Sequence, residues 1–220
     1  MAPDVFRDRT EAGQELGRRL FQACAGRDVV VLALPRGGVP VGFEVARAFD
    51  APLDVMVVRK LGIPGHAEYA MGAIASGGTR VLNDAVVREL GISSAAVEEV
   101  ARAEGIELER RERLYRDGRP PPDVRGRTAV LVDDGLATGS TMRVAVRALR
   151  ALQPARIVVA VPVASAEACE LLRSEADDVL CVTPAPFRAV GLGYQDFSQT
   201  SDEEVVALLK RSARETASSN

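Results

Sequence analysis

Short runs of aliphatic and β-branched residues recur along this chain at 28–34, 53–58, 128–132, 156–161 and 178–182. Runs of this length, bounded by turn residues, suit strands buried on both faces. Helical periodicity fills most of the intervals. Residues 9–25 carry Leu16, Leu20 and Phe21 at helical spacing, and residues 39–49 and 139–152 read the same way. Asn83 is placed to cap a helix over 84–90, and Ser93 or Ser94 one reaching about Tyr115. Ser165 caps a helix to about Arg173, and Ser201-Asp202-Glu203-Glu204 forms a capping box before the last. Strands separated by helices predict an α/β fold, a five-stranded parallel sheet with helices on both faces. Ligands of such sheets bind outside the carboxyl ends of the strands.

Residues 59–78 are rich in glycine and read as a long loop or small hairpin. The 94–115 helix is crowded with Glu and Arg one turn apart, which predicts a solvated face laced with ion pairs. The 220 residues are expected to form a single domain with its core at about 28–185. A helical insertion at about 83–127 and a C-terminal helix and tail at 200–220 complete it. A net charge of −3 offers no footprint for nucleic acid, and no apolar run approaches membrane-spanning length. Cys24, Cys169 and Cys181 are widely spaced, as expected of reduced thiols in a cytoplasmic protein, and the charged N-terminus lacks an apolar signal core.

The chemistry concentrates after the third run, in Val130-Leu131-Val132-Asp133-Asp134-Gly135-Leu136-Ala137-Thr138-Gly139-Ser140-Thr141. Two adjacent carboxylates at the end of a buried strand repel each other and lose hydration, so a purely structural role is poorly motivated. They can accept hydrogen bonds from a diol or help hold a divalent ion. Small residues and hydroxyls then lead into a helix, whose free N–H groups and positive dipole end make an anion pocket. Acids for a sugar diol beside a phosphate cradle describe a ribose 5-phosphate site. A Walker loop is disfavoured, because Gly139-Ser140-Thr141 lacks the lysine that motif demands. A response-regulator-like or phosphatase-like acidic pocket stays open, without accounting for the small-residue loop.

Residues 130–141 resemble the signature of the type I phosphoribosyltransferases. The resemblance implies that Asp133 and Asp134 take the ribose hydroxyls, while Gly135 and Ala137, Thr138, Gly139, Ser140 and Thr141 hold the 5′-phosphate. Two further stretches carry it. Leu34-Pro35-Arg36-Gly37-Gly38-Val39-Pro40 is similar to the family's pyrophosphate loop, which implies contacts from Arg36, Gly37 and Gly38 and a non-proline cis peptide near 34–37. Val57-Val58-Arg59-Lys60-Leu61-Gly62-Ile63-Pro64-Gly65 is similar to the Arg-Lys and Leu-Pro-Gly stretch of adenine phosphoribosyltransferases. There Arg59 and Lys60, read as cations at the end of the 53–58 strand, would meet the pyrophosphate leaving group. The family uses this region as a mobile loop that excludes water. Glu68 in it is a candidate general acid/base, while His66, the only histidine, is more simply a solvated loop residue.

The resemblance implies a pentosyltransferase of nucleotide salvage. It moves 5-phosphoribosyl from phosphoribosyl diphosphate to a small-molecule nitrogen acceptor, with Mg2+ as cofactor, in a homodimer. Asp133, Asp134, Lys60 and Glu68 are the catalytic candidates. Ala137 stands where 6-oxopurine enzymes commonly carry an aspartate, leaving adenine-like, pyrimidine-like and non-nucleobase acceptors open. Phe187, Tyr194 and Phe197 are placed either to stack on a flat base or to fill a core. The rival reading is a sensor of the same fold that binds the donor without turning it over.

Overall fold

The computed structural model describes residues 5–24, 26–184 and 189–218. In chain order it comprises α1 (Arg9–Cys24), β1 (Val29–Ala33), α2 (Gly38–Phe49), β2 (Leu53–Val55), β3 (Val58–Ile63), β4 (His66–Ala75), β5 (Arg80–Leu82), α3 (Asp84–Glu89) and α4 (Ser94–Arg116). There follow β6 (Thr128–Val132), α5 (Ser140–Ala151), β7 (Arg156–Ala164), α6 (Ala166–Arg173), β8 (Asp178–Pro184), a 3-10 turn (Val190–Gly193) and α7 (Asp202–Ser218).

Five strands pair in parallel in the order β2-β1-β6-β7-β8. Every residue of β1 and β6 is buried, and alternate side chains serve opposite faces. Val29, Val31, Val130 and Val132 pack into a cluster with α1, α2 and α7, whereas Val30, Leu32, Ala129 and Leu131 pack against α5 and α6. The unbroken apolar runs thus reflect two covered faces rather than one. From β1 the chain returns through α2 to β2 on one side, and from β6 through α5 to β7 on the other. The order therefore reverses between β1 and β6, and the loops leaving their carboxyl ends face each other across a switch point.

Residues 53–58 do not form one strand. β2 ends at Val55, and the chain leaves the parallel sheet to enter a separate antiparallel one ordered β3-β4-β5. Ser76 guides this exit: its Oγ accepts from Val57 N at 2.9 Å, and its own N donates to Val57 O at 2.8 Å. The 59–78 segment is accordingly a hairpin, turned at Gly65 with φ +79° and extended by β5.

Asn83, Ser93 and Ser165 each cap the helix that follows, and Ser201 Oγ accepts from Glu204 N at 3.2 Å. α4 carries its expected ion pairs, among them Glu107 with Arg110 and Arg111, while Val97, Ala101, Leu108 and Tyr115 anchor its other face. Arg116 ties its end to the edge strand, donating to the buried Asp54 at 2.7 Å. Cys169 and Cys181 are paired as a disulfide, which corrects the expectation of three reduced thiols; Cys24 is free and buried. Among the described residues no helix is long and apolar enough to cross a membrane.

Glu15 of α1 accepts from Arg18 and Arg19, each at 2.8 Å, and these hydrogen bonds lower its pKa from 4.5 to about 2. A depressed carboxylate stabilises the fold above its unfolded value, and that contribution fades as pH falls from 4.5 through about 2. Glu15→Gln should therefore flatten the acid limb of stability over this window, read as the thermal midpoint by circular dichroism against pH.

Candidate functional site

The loop after β1 carries a cis peptide between Pro35 and Arg36, in the stretch where the resemblance placed one. Gly37 caps α2 without a side-chain bond, and the N–H groups of Arg36 and Gly37 find no acceptor among the described residues. This loop lies directly on the acid turn after β6. A Cβ at Gly37 would run into Asp134 Oδ2, and one at Gly38 would sit 2.8 Å from Val132 O and 2.9 Å from Asp133 Cα. Glycine at both positions lets the loops of neighbouring strands meet backbone to side chain.

Asp133 and Asp134 sit half-buried at this meeting point. Burial, and then the neighbouring Asp134 charge, push the Asp133 pKa well up. Asp134 is also raised by burial, against the opposing pull of Arg9. Asp133 Oδ1 accepts from Asp134 N at 2.9 Å, and Tyr194 Oη donates to Asp134 O at 2.5 Å. The Arg9 contact was not foreseen. Its Nε and Nη2 reach Asp134 Oδ2 at 2.9 and 2.8 Å from the first residue of α1. One cue was present in sequence, a cation at the start of a helix, where the macrodipole disfavours it unless an anion faces it.

Downstream, Leu136 bridges to Ala164, and Ser165 Oγ donates to Ala137 O at 2.8 Å, fixing the start of the small-residue loop. Gly139 takes φ +72° and opens α5. The backbone N–H groups of Ala137, Thr138 and Gly139 find no acceptor among the described residues. They lie at the helix N-terminus of α5, where the Ser140 N–H donates to Thr138 Oγ1 at 3.4 Å, and form a run of free N–H groups suited to an anion. Thr138 and Ser140 are exposed, their hydroxyls 3.2 Å apart.

The paired cations are placed differently from expectation. They are not at the end of a parallel strand but inside β3, because the chain has already left the sheet at Met56. Arg59 is engaged by Glu104 of α4 at 2.8 Å. Lys60 is exposed and lines a cavity of about 640 Å3 with Ser140, Thr141 and Arg143, so the hairpin presents it to the start of α5 rather than to Gly37 and Gly38. Arg36 lies 3.8 Å from Asp202, which also accepts from Tyr115 Oη at 2.7 Å. His66 is exposed at the hairpin tip; the Glu68 side chain and Phe187 lie outside the described residues. Tyr194 and Phe197 stack on each other at 5.1 Å, and the Arg9 guanidinium covers Phe197 at 4.1 Å. These rings are packing elements of the site wall.

A family model described as the phosphoribosyl transferase domain matches residues 9–196. The chain belongs to this family. Its fold is the type I phosphoribosyltransferase fold. It is 51% identical over 214 residues to proteins of two Mycobacterium tuberculosis strains, CDC 1551 and H37Rv, each named "Putative phosphoribosyl transferase". Those alignments cover 97% of this chain but 48% of each relative, so the chain spans about half the length of the curated relatives it matches. The crystal structure of TT1426 from Thermus thermophilus superposes with a TM-score of 0.82 at 44% identity, covering 94% of this chain and 98% of that one.

Proposed function

We propose that this phosphoribosyltransferase-family chain transfers 5-phosphoribosyl from its 1-diphosphate to a nitrogen acceptor, releasing pyrophosphate. The observation that carries the reading is the contact of Gly37 and Gly38 with Asp133 and Asp134 at the switch point, beside the free N–H groups of residues 137–139. A diol on the acids, a 5′-phosphate on the loop and a diphosphate over Arg36, Gly37 and Gly38 would then be parts of one ligand. Catalysis by such a site is positioning and electrostatics, with Arg36 on the leaving group and a hairpin to shut out water. The hairpin would bring Lys60 toward the phosphate end and Glu68 toward a proton on the acceptor nitrogen.

Magnesium fits this donor set through the ligand's own oxygens and water. One oxygen of Asp134 is taken by Arg9, Asp133 accepts a main-chain N–H, and no cluster of three or more metal-ligating side chains occurs among the described residues. One or two carboxylates suffice for an ion that keeps its water shell. When bound it would offset charge on the departing diphosphate.

The acceptor stays with the bases that tolerate Ala137, adenine-like, pyrimidine-like or outside the nucleobases. The engagement of Arg59 by Glu104 favours a second reading, a sensor that binds donor without turnover. Pyrophosphate release across a panel of nitrogen bases separates the two. Release with one base establishes the transferase, and donor binding without release from any establishes the sensor. Absence of any thermal shift with phosphoribosyl diphosphate and Mg2+ removes both.

A further inference from the structure

We propose that Arg9 is a positioning residue of the acid turn, which makes the first helix part of the ribose site. This rests on the donor-binding reading above and adds a residue 125 positions away from the acid it serves. The Arg9 side chain is 11% exposed, and its functional group is fully committed. Nε donates to Asp134 Oδ2 with Nη2 in ion-pair contact with the same oxygen at 2.8 Å, Nη1 donates to Ser198 O at 2.6 Å, and the guanidinium lies on the Phe197 ring. A planar fork anchored on two segments fixes Oδ2 in space and leaves Oδ1 as the Asp134 oxygen that Arg9 does not take.

Main chain and side chain are secured together at this residue, because Tyr194 Oη holds the Asp134 carbonyl. A carboxylate fixed through one oxygen and through its own main chain is presented in one orientation, the condition for reading a hydroxyl. The same pair lies against Gly37, where an added Cβ would come within 3.3 Å of Arg9 Nε. Arg9 therefore touches the wall shared by the ribose acids and the pyrophosphate loop, but not residues 137–141. Fold stability alone does not call for such a pair, since buried ion pairs are often no better than apolar replacements of similar volume.

The test uses the full chain, with Arg9→Met and Arg9→Lys, and calorimetric titration of two ligands. Ribose 5-phosphate reads the acids together with the anion-binding loops, whereas inorganic phosphate reads the loops without the acids. Arg9→Met should weaken ribose 5-phosphate by about one to two orders of magnitude while leaving inorganic phosphate within roughly twofold. Arg9→Lys should recover part of the loss, having the charge without the fork. Equal losses for both ligands, or no loss, overturn the inference. If Arg9→Met folds poorly, the cycle with Asp134→Asn decides: adding Arg9→Met to Asp134→Asn should weaken ribose 5-phosphate little further, and additive losses overturn the proposal. A wild-type chain that binds neither ligand defeats the donor-binding reading and this inference with it. A wild-type chain that binds, with an unaffected Arg9→Met variant, defeats this inference alone.

Discussion

Asparagine at both 133 and 134 should give a folded protein whose thermal midpoint no longer rises with phosphoribosyl diphosphate and Mg2+. In the wild-type chain a ligand at a hundredfold excess over its Kd should add about 2.7 kcal/mol to stability. The loss follows because an amide presents one acceptor where a carboxylate presents two, and carries no charge for hydroxyls to meet. The single variants should move the unliganded protein in opposite directions. Burial and the Asp134 charge both disfavour the ionised form of Asp133, so Asp133→Asn should stabilise by about 1 kcal/mol. The sign is fixed by linkage. A carboxylate whose folded pKa is raised costs stability as pH climbs through that value, and the cost vanishes below its unfolded value of 3.8. The gain from Asp133→Asn should therefore shrink toward zero in acid. Asp134→Asn also relieves a carboxylate whose pKa burial raises, but it leaves the largely buried Arg9 guanidinium facing a neutral amide. This loss of a buried partner should outweigh the relief, at a net cost of about 1–3 kcal/mol. Scanning calorimetry with and without ligand checks all three. A ligand shift surviving in the double variant would remove the ribose assignment, and single variants moving in the same direction would refute the charge account.

The parallel core was legible because each of its signals is local. Val130 to Thr141 states in twelve residues a buried strand, two acids and a helix start, and β6 spans the 128–132 that the apolar run marks. Caps at Asn83, Ser93 and Ser165 were equally readable, since a capping oxygen and the N–H that donates to it lie three residues apart. What failed was set by distant partners. Leu53 to Val58 looks like one strand, yet Ser76, 19 residues later, takes Val57 out of the parallel sheet, and Arg59 and Lys60 go with it. The Arg9–Asp134 pair spans 125 residues, and no local pattern names its partner. Tyr194 and Phe197 read equally as stacking platforms or packing, and the contact of Arg9 with Phe197, far apart in sequence, has no local signal either.

Gly38→Ala puts the composite site to its hardest trial, because intrinsic preference argues the other way. Gly38 is the first residue of α2, where alanine should favour the helix by up to about 1 kcal/mol. Its φ is not among the positive values of the chain, so alanine meets no backbone strain of its own. The obstacle is proximity alone. The new Cβ would lie 2.8 Å from Val132 O, 2.9 Å from Asp133 Cα and 3.1 Å from Asp133 Oδ1. Two of these are main-chain atoms at the end of a central, fully buried strand, which cannot yield without disturbing β1 and β7 on either side. Relief has to come from parting the two loops, and that separates the groups proposed for diphosphate from those proposed for ribose. The variant should lose about 1–3 kcal/mol of stability, as overpacking does, together with the donor-induced shift. Gly126→Ala supplies the contrast at the opposite end of β6. There φ is +71° with nothing within 4 Å of the new Cβ, so the roughly 1–2 kcal/mol lost is purely conformational. Donor stabilisation should survive in that variant at similar global stability. Should Gly38→Ala keep the shift as well, the loops after β1 and β6 do not act on one ligand.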